Sequence, residues 1–201
     1  MTERPILFND DMVRAILRGK KSQTRRPVKP QPVIHPDAPK PFGEWTHKGQ
    51  KVQWGPGAFP TLHFARHCPF GQPGDRLWVR ETFFKYWPTP GRTNPAALYK
   101  ADGITLCDRD SEGMKQRWTP AIHMPRELSR ITLKITALTV EPLCSIEDDD
   151  AILEGVSGDG KPMRLFRKTW DSLYAKHGLG WDANPWVWVV KFKRVEEQCK
   201  K

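Results

Sequence analysis

The four cysteines of this sequence (Cys68, Cys107, Cys144 and Cys199) are scattered and form no C-x-x-C pair. That excludes a zinc ribbon built on such pairs and argues against a disulfide framework. His63, His67 and Cys68 fall close together, but a tetrahedral site needs further ligands at a recognised spacing, so no metal and no other cofactor is expected. No apolar run approaches the roughly 18 residues of a membrane helix, and no membrane association is expected. The opening Met1-Thr2-Glu3-Arg4 lacks signal-peptide character, which points to the cytoplasm. Apolar residues are also scarce, at 38%, so the expected core is modest and ringed by polar loops. A length of 201 residues suits one domain, 1–201, with insertions, as a monomer or a homodimer.

Acidic residues are missing where basic ones crowd. Between Met12 and Pro30 stand Arg14, Arg18, Lys20, Lys21, Arg25, Arg26 and Lys29, with no Asp or Glu. The whole chain carries a net charge of +10, which favours a polyanionic partner such as RNA or single-stranded nucleic acid. A solvated charged face is the ordinary reading of a basic run. Here the run crosses a turn instead of following one helix face, which weakens that reading.

Local patterning locates the elements. Residues 5–8 read as a strand. Asn9 offers an N-cap, Asp10 and Asp11 suit a first helical turn, and Met12, Val13, Ile16 and Leu17 recur at helical spacing up to Gly19, which predicts a helix over 10–18. The prolines at 27, 30, 32, 36, 39 and 41 predict irregular chain over 27–73, and residues 30–70 read as an insertion packed on the domain as a lid or strand-binding surface. Trp45, Trp54 and Trp87 are candidates for stacking on bases. Arg76–Tyr86 reads as one long strand, 97–101 as a short one, and 102–118 as a second loop insertion. Ile131, Leu133, Ile135 and Ala137 share one face of a strand over 130–141. Ser145 with Asp148 forms a capping-box pattern ahead of a helix at 146–153, ending near Gly155. A further helix is predicted over 163–177, and Trp186–Val195 reads as a strand buried on both faces. Strands outnumber helices without alternating with them, so the fold class is α+β, a small mixed barrel with three short helices and long irregular insertions.

Gly19-Lys20-Lys21-Ser22-Gln23-Thr24-Arg25-Arg26 reads as G-x-K-x-x-T-x-R. The segment resembles the signature of the ASCH domain family. The Gly74-Asp75 turn before a strand, the Glu154-Gly155 helix end and the final apolar strand add to the likeness, which covers about three quarters of the chain. Leu77-Trp78-Val79-Arg80-Glu81-Thr82 and Ile122-His123-Met124-Pro125-Arg126 are similar to segments of the longer phage and prophage members. The resemblance implies a PUA-like β-barrel with a cleft where the signature meets Glu154. In the family's small enzymes of the N4-acetylcytidine amidohydrolase kind, a Lys, a Thr and a Glu are catalytic, and by motif position these are Lys21, Thr24 and Glu154.

That chemistry is coherent. Thr24 supplies a hydroxyl that needs a base. Lys21 is that base only with a lowered pKa, which burial and the neighbouring cations favour. Glu154 orients a group or relays a proton. Arg26 holds a phosphate or an oxyanion, with Arg25 and Glu81 as further substrate-binding candidates. On a strand over 23–28, Thr24 and Arg26 share a face and Arg25 points away, leaving Lys20 and Arg25 as electrostatic background. The bland alternative is that Lys21 is one more surface cation, Thr24 a β-branched strand residue and Glu154 the residue before a helix stop. The functions left open are an amidohydrolase acting on a modified pyrimidine nucleoside or RNA, a non-catalytic RNA- or DNA-binding module, a metal-independent ribonuclease, and a phage accessory protein.

Overall fold

The computed structural model describes residues 1–37, 42–55, 61–86, 96–106, 116–156 and 160–195. Its elements are β1 (Glu3–Leu7), α1 (Asp10–Leu17), β2 (Gln23–Pro27), β3 (Val33–His35), β4 (Phe42–His47), β5 (Gln50–Trp54), α2 (Thr61–Arg66), β6 (Arg76–Arg80), β7 (Phe83–Tyr86), β8 (Ala96–Tyr99), β9 (Thr132–Pro142), α3 (Asp148–Leu153), α4 (Pro162–Tyr174) and β10 (Trp186–Val195). Trp87, Cys107, Cys199 and most of the 102–118 loop lie outside the described residues. No described helix is long and apolar enough to cross a membrane.

The main sheet has the order β1-β6-β9-β10-β2, with β1 parallel to β6 and the other pairs antiparallel. β10 is covered on both faces, as its unbroken apolar run implies. Trp188, Val190 and Phe192 enter the main core with α1 and β6, while Val187 and Val189 pack against Phe166 and Trp170 of α4. The expected β9 face holds for Ile131, Leu133 and Ile135. The ladder then slips between Lys191 and Phe192, leaving Thr136 unpaired, so Leu138 and Val140 occupy that face in place of Ala137. One bulged residue inverts the alternation beyond it.

Four expectations are corrected. The sheets are not closed into a barrel: β1 and β2 are edges of the five-stranded sheet. Val13 and Ile16 of α1 fill the core beside them, and Arg26 Nη2 donates to the Leu7 carbonyl at 2.6 Å, a side-chain bond in place of a backbone ladder. The 30–70 stretch is not irregular, because its prolines fall outside β4 and β5, which form a hairpin closed by Lys48 (φ 50°) and Gly49 (φ 79°). β3 adds a third strand, and α2 is a fourth α-helix too short to show a helical period. The strand expected over 76–86 is two strands in different sheets. Glu81 continues the inward face of Leu77 and Val79, and a buried carboxylate there requires its own cation: Arg130 binds it through Nε and Nη2, both at 3.0 Å. Finally, the Ser145–Asp148 capping box does not form. Ser145 ends a 3-10 turn, and α3 starts after Glu147 with no side-chain cap and three aspartates in its first turn.

Candidate functional site

The signature segment begins where α1 stops. Asn9 caps the helix by accepting from the Met12 amide at 2.9 Å, and Gly19 (φ +70°) reverses the chain. The amides of Lys20 and Lys21 then both donate to the Ala15 carbonyl, at 2.8 and 3.2 Å, wrapping the segment around the helix end. β2 follows as the edge strand beside β10, and the end of α3 lies along its start. The Ser22 amide donates to the Leu153 carbonyl at 3.0 Å, and Lys21 and Glu154 form an isolated β-bridge.

Lys21 and Glu154 are joined by side chains as well. Lys21 Nζ donates to the Glu154 carbonyl at 2.7 Å and to its Oε2 at 3.1 Å, and both side chains are almost wholly buried. Gly155 makes the approach possible. Its φ is +84°, and a Cβ there would stand 2.8 Å from Ala15 Cβ and 2.9 Å from Lys21 Cβ. Burial pushes the Lys21 ammonium below its ordinary range; Glu154 raises it and Arg26 and Arg25 lower it further.

Register assigns the neighbouring side chains to faces. Thr24 stands opposite Val190 and Arg26 opposite Trp188, on the main-core side, while Arg25 stands opposite Val189 on the α4 side. Thr24 and Arg26 therefore do share a face. Arg25 is no background charge, however. Its Nη2 binds Glu141 Oε1 and Asp150 Oδ2, each at 2.8 Å, and its Nη1 reaches Glu154 Oε1 at 3.4 Å. Glu154 thus binds both Lys21, just before β2, and Arg25, within it. Burial works against the Arg25 charge, and the carboxylates outweigh it, so its pKa is raised. Among the described residues no hydrogen bond links Thr24 to Lys21 or Glu154, and none links Glu81 to this group. Glu81 belongs to the separate cluster with Arg130, Asp102 and Tyr99, where burial raises its pKa against the pull of Arg130.

Thr24, Arg25, Arg26 and Glu154 do line one chamber, closed by Phe166, Trp170 and Tyr174 of α4. Its volume is about 20 Å³, room for about one water. A nucleoside does not fit this arrangement.

The large cavity lies next to it. About 710 Å³ is bounded by Arg4, Arg26, Lys29, Lys48 and Arg66, with His47, His67, Phe70, Tyr174 and Trp188 among the remaining walls, and among the described residues no carboxylate lines it. Among the described residues none of these five cations forms an ion pair. Arg4 donates to the Pro69 carbonyl, and Arg26 to Tyr174 Oη at 3.1 Å. The buried cations elsewhere, Lys21 and Arg25, are each matched by carboxylates. Arg26 and Lys29 come from the basic run, but Arg4, Lys48 and Arg66 are isolated in sequence, so only the fold reveals the grouping. Trp45, a stacking candidate, is taken up in the core between Phe64 (4.2 Å) and His47 (4.9 Å). Trp54 meets Phe64 edge-on. Among the described residues no group of three or more His, Cys, Asp and Glu side chains is placed to hold a metal ion.

No family model matches the chain, and no curated protein matches it. Among solved structures it is similar to the ASCH domain from Lactobacillus crispatus JV V101, with 11% identity over 96% of this chain and 79% of that chain and a TM-score of 0.45. That is the family the Gly19–Arg26 segment resembles. A likeness at this level leaves activity and ligand to the geometry of the site.

Proposed function

We propose that the protein binds single-stranded nucleic acid in the groove bounded by Arg4, Arg26, Lys29, Lys48 and Arg66. The observation that carries this reading is the concentration, around one open cavity of about 710 Å³, of five cations without carboxylate partners among the described residues. Charge repulsion among them is relieved by a polyanion, and phosphates release counterions on binding. Histidine and aromatic walls suit unstacked bases, which a duplex keeps covered. On this reading residues 47–48 and 66–70 form a wall of the site, supplying His47, Lys48, Arg66, His67 and Phe70. The buried Lys21–Glu154–Arg25 network then has a supporting role, fixing the start of β2 and so the position of Arg26. The test is equilibrium binding to labelled oligo-U and oligo-dT beside a duplex of the same length. The reading requires single strands of either sugar to bind more tightly than the duplex, and equal or tighter duplex binding contradicts it.

A second reading is the amidohydrolase acting on N4-acylated cytosine. It is supported by the depressed Lys21 pKa and by the chamber that Thr24 shares with Glu154. It requires α4 to move, since small-molecule sites occupy roughly 300–1,000 Å³. The ultraviolet spectrum of N4-acetylcytidine incubated with the protein decides it. Turnover lost in Lys21→Ala with folding intact supports catalysis; an unchanged spectrum with the wild type removes it for that substrate.

A further inference from the structure

A second cavity of about 360 Å³ lies between α1 and α4. It borders the Thr24 chamber through Met12, Glu154, Val156 and Thr169, and that chamber borders the basic groove through Arg26 and Tyr174. Helix α4 is the wall common to all three. Leu165 and Thr169 face the second cavity and Tyr174 the groove, and the nine-residue step from Leu165 to Tyr174 spans about 13 Å.

The charges in the second cavity are unequal in availability. Arg14 is engaged by Asp11 at 2.5 Å and by the Ala101 carbonyl at 3.2 Å. Glu154 is engaged by Lys21 and Arg25. Among the described residues the exposed side chains of Arg18 and Lys20 have neither an ion pair nor a hydrogen bond. The second cavity therefore offers two free cations while its carboxylates are already neutralised.

We propose that a strand held in the groove continues over the Arg26–Tyr174 neck and sets its next phosphates against Arg18 and Lys20, so that the protein has a footprint of two basins. This rests on the nucleic-acid reading of the groove. Two features argue for continuity over an independent small-anion site. The basins share the neck chamber, and their separation along α4 is a distance that a few nucleotides of one strand cover. The neck side chains already form a hydrogen bond at 3.1 Å, so the strand crosses above them and leaves the 20 Å³ chamber closed.

The experiment is a length series of labelled oligo-U and oligo-dT from four to sixteen nucleotides at fixed salt. It compares wild type, Arg18→Glu/Lys20→Glu and Lys48→Glu/Arg66→Glu, with thermal unfolding confirming that each folds. Wild-type affinity is expected to rise with length and then level off. The Arg18→Glu/Lys20→Glu protein should lose about tenfold on the longest strand and less than about twofold on the shortest. The Lys48→Glu/Arg66→Glu protein should lose on both. If the Arg18→Glu/Lys20→Glu protein loses equally at every length, or at none, while the groove variant still loses, the two-basin footprint is overturned and the groove reading survives. If the wild type binds no strand of any length, both fall.

Discussion

Lys21 and Glu154 stand 133 residues apart in sequence and meet through both backbone and side chain, as a β-bridge and as an ammonium bound to carbonyl and carboxylate of the same residue. The contact ties the turn after α1 to the end of α3 and sets the start of β2. Removing the carboxylate leaves a buried ammonium with only a carbonyl, whereas removing the ammonium leaves Glu154 with Arg25. Glu154→Ala should therefore cost about 3–5 kcal/mol, and Lys21→Met clearly less. Urea unfolding of both variants measures this, and an equal or larger loss in Lys21→Met contradicts it.

Gly155 and Gly19 separate conformation from space. Both have positive φ, but a Cβ at Gly19 meets nothing within 4 Å, while at Gly155 it enters Ala15 and Lys21. Gly19→Ala should cost about 1–2 kcal/mol for the left-handed backbone alone. Gly155→Ala adds about 1–3 kcal/mol of overpacking. Matching losses in thermal unfolding would mean that the close approach has no energetic weight.

Lys21 also predicts a pH dependence. Its folded-state pKa lies below the ordinary 10.5, chiefly through burial. Between those two values the unfolded chain holds a proton that the folded one has released, so stability contributed by this group rises with pH across that window. The difference in unfolding free energy between wild type and Lys21→Met should increase with pH up to about 10.5. A difference that stays flat, or falls, contradicts the assigned direction.

How much of this was legible in the sequence depended on how local the signal was. The first helix was announced by Asn9, the Met12–Leu17 spacing and Gly19, all within one short stretch. The burial of β10 on both faces followed from its unbroken apolar run. The bulge at Thr136 has no letter of its own, and it reversed the face assigned to Ala137. The prolines of 27–41 suggested a structureless insertion because their number was visible and their placement between strands was not. The pairing of Lys21 with Glu154 came from the ASCH resemblance; no property of either residue points to the other across that distance. Strand alternation turns Arg25 away from Thr24 and Arg26, and that holds, but alternation does not say that Glu141, Asp150 and Glu154 converge on it. The groove was hidden more deeply, since Arg4, Lys48 and Arg66 are unremarkable surface letters until β1, the β4–β5 turn and α2 bring them to one cavity.

Salt should report the number of phosphates engaged. With three to five of the groove cations in contact, the logarithm of the binding constant for a single strand should fall against the logarithm of salt with a slope of about −2 to −3.5. Arg66→Gln should make that slope shallower by about 0.7. Affinity insensitive to salt would remove phosphate contact from the account.

The most direct test of the groove compares two triple variants with the same net charge. Lys29→Glu/Lys48→Glu/Arg66→Glu reverses charge inside it, and Lys176→Glu/Lys193→Glu/Arg194→Glu reverses charge at exposed positions outside its walls. Titrated with a labelled twelve-nucleotide oligo-U at constant salt, the groove variant should lose at least about a hundredfold in affinity and the control less than about fivefold. Equal losses would show that the +10 charge acts only as a diffuse field, and the groove would not be the binding site.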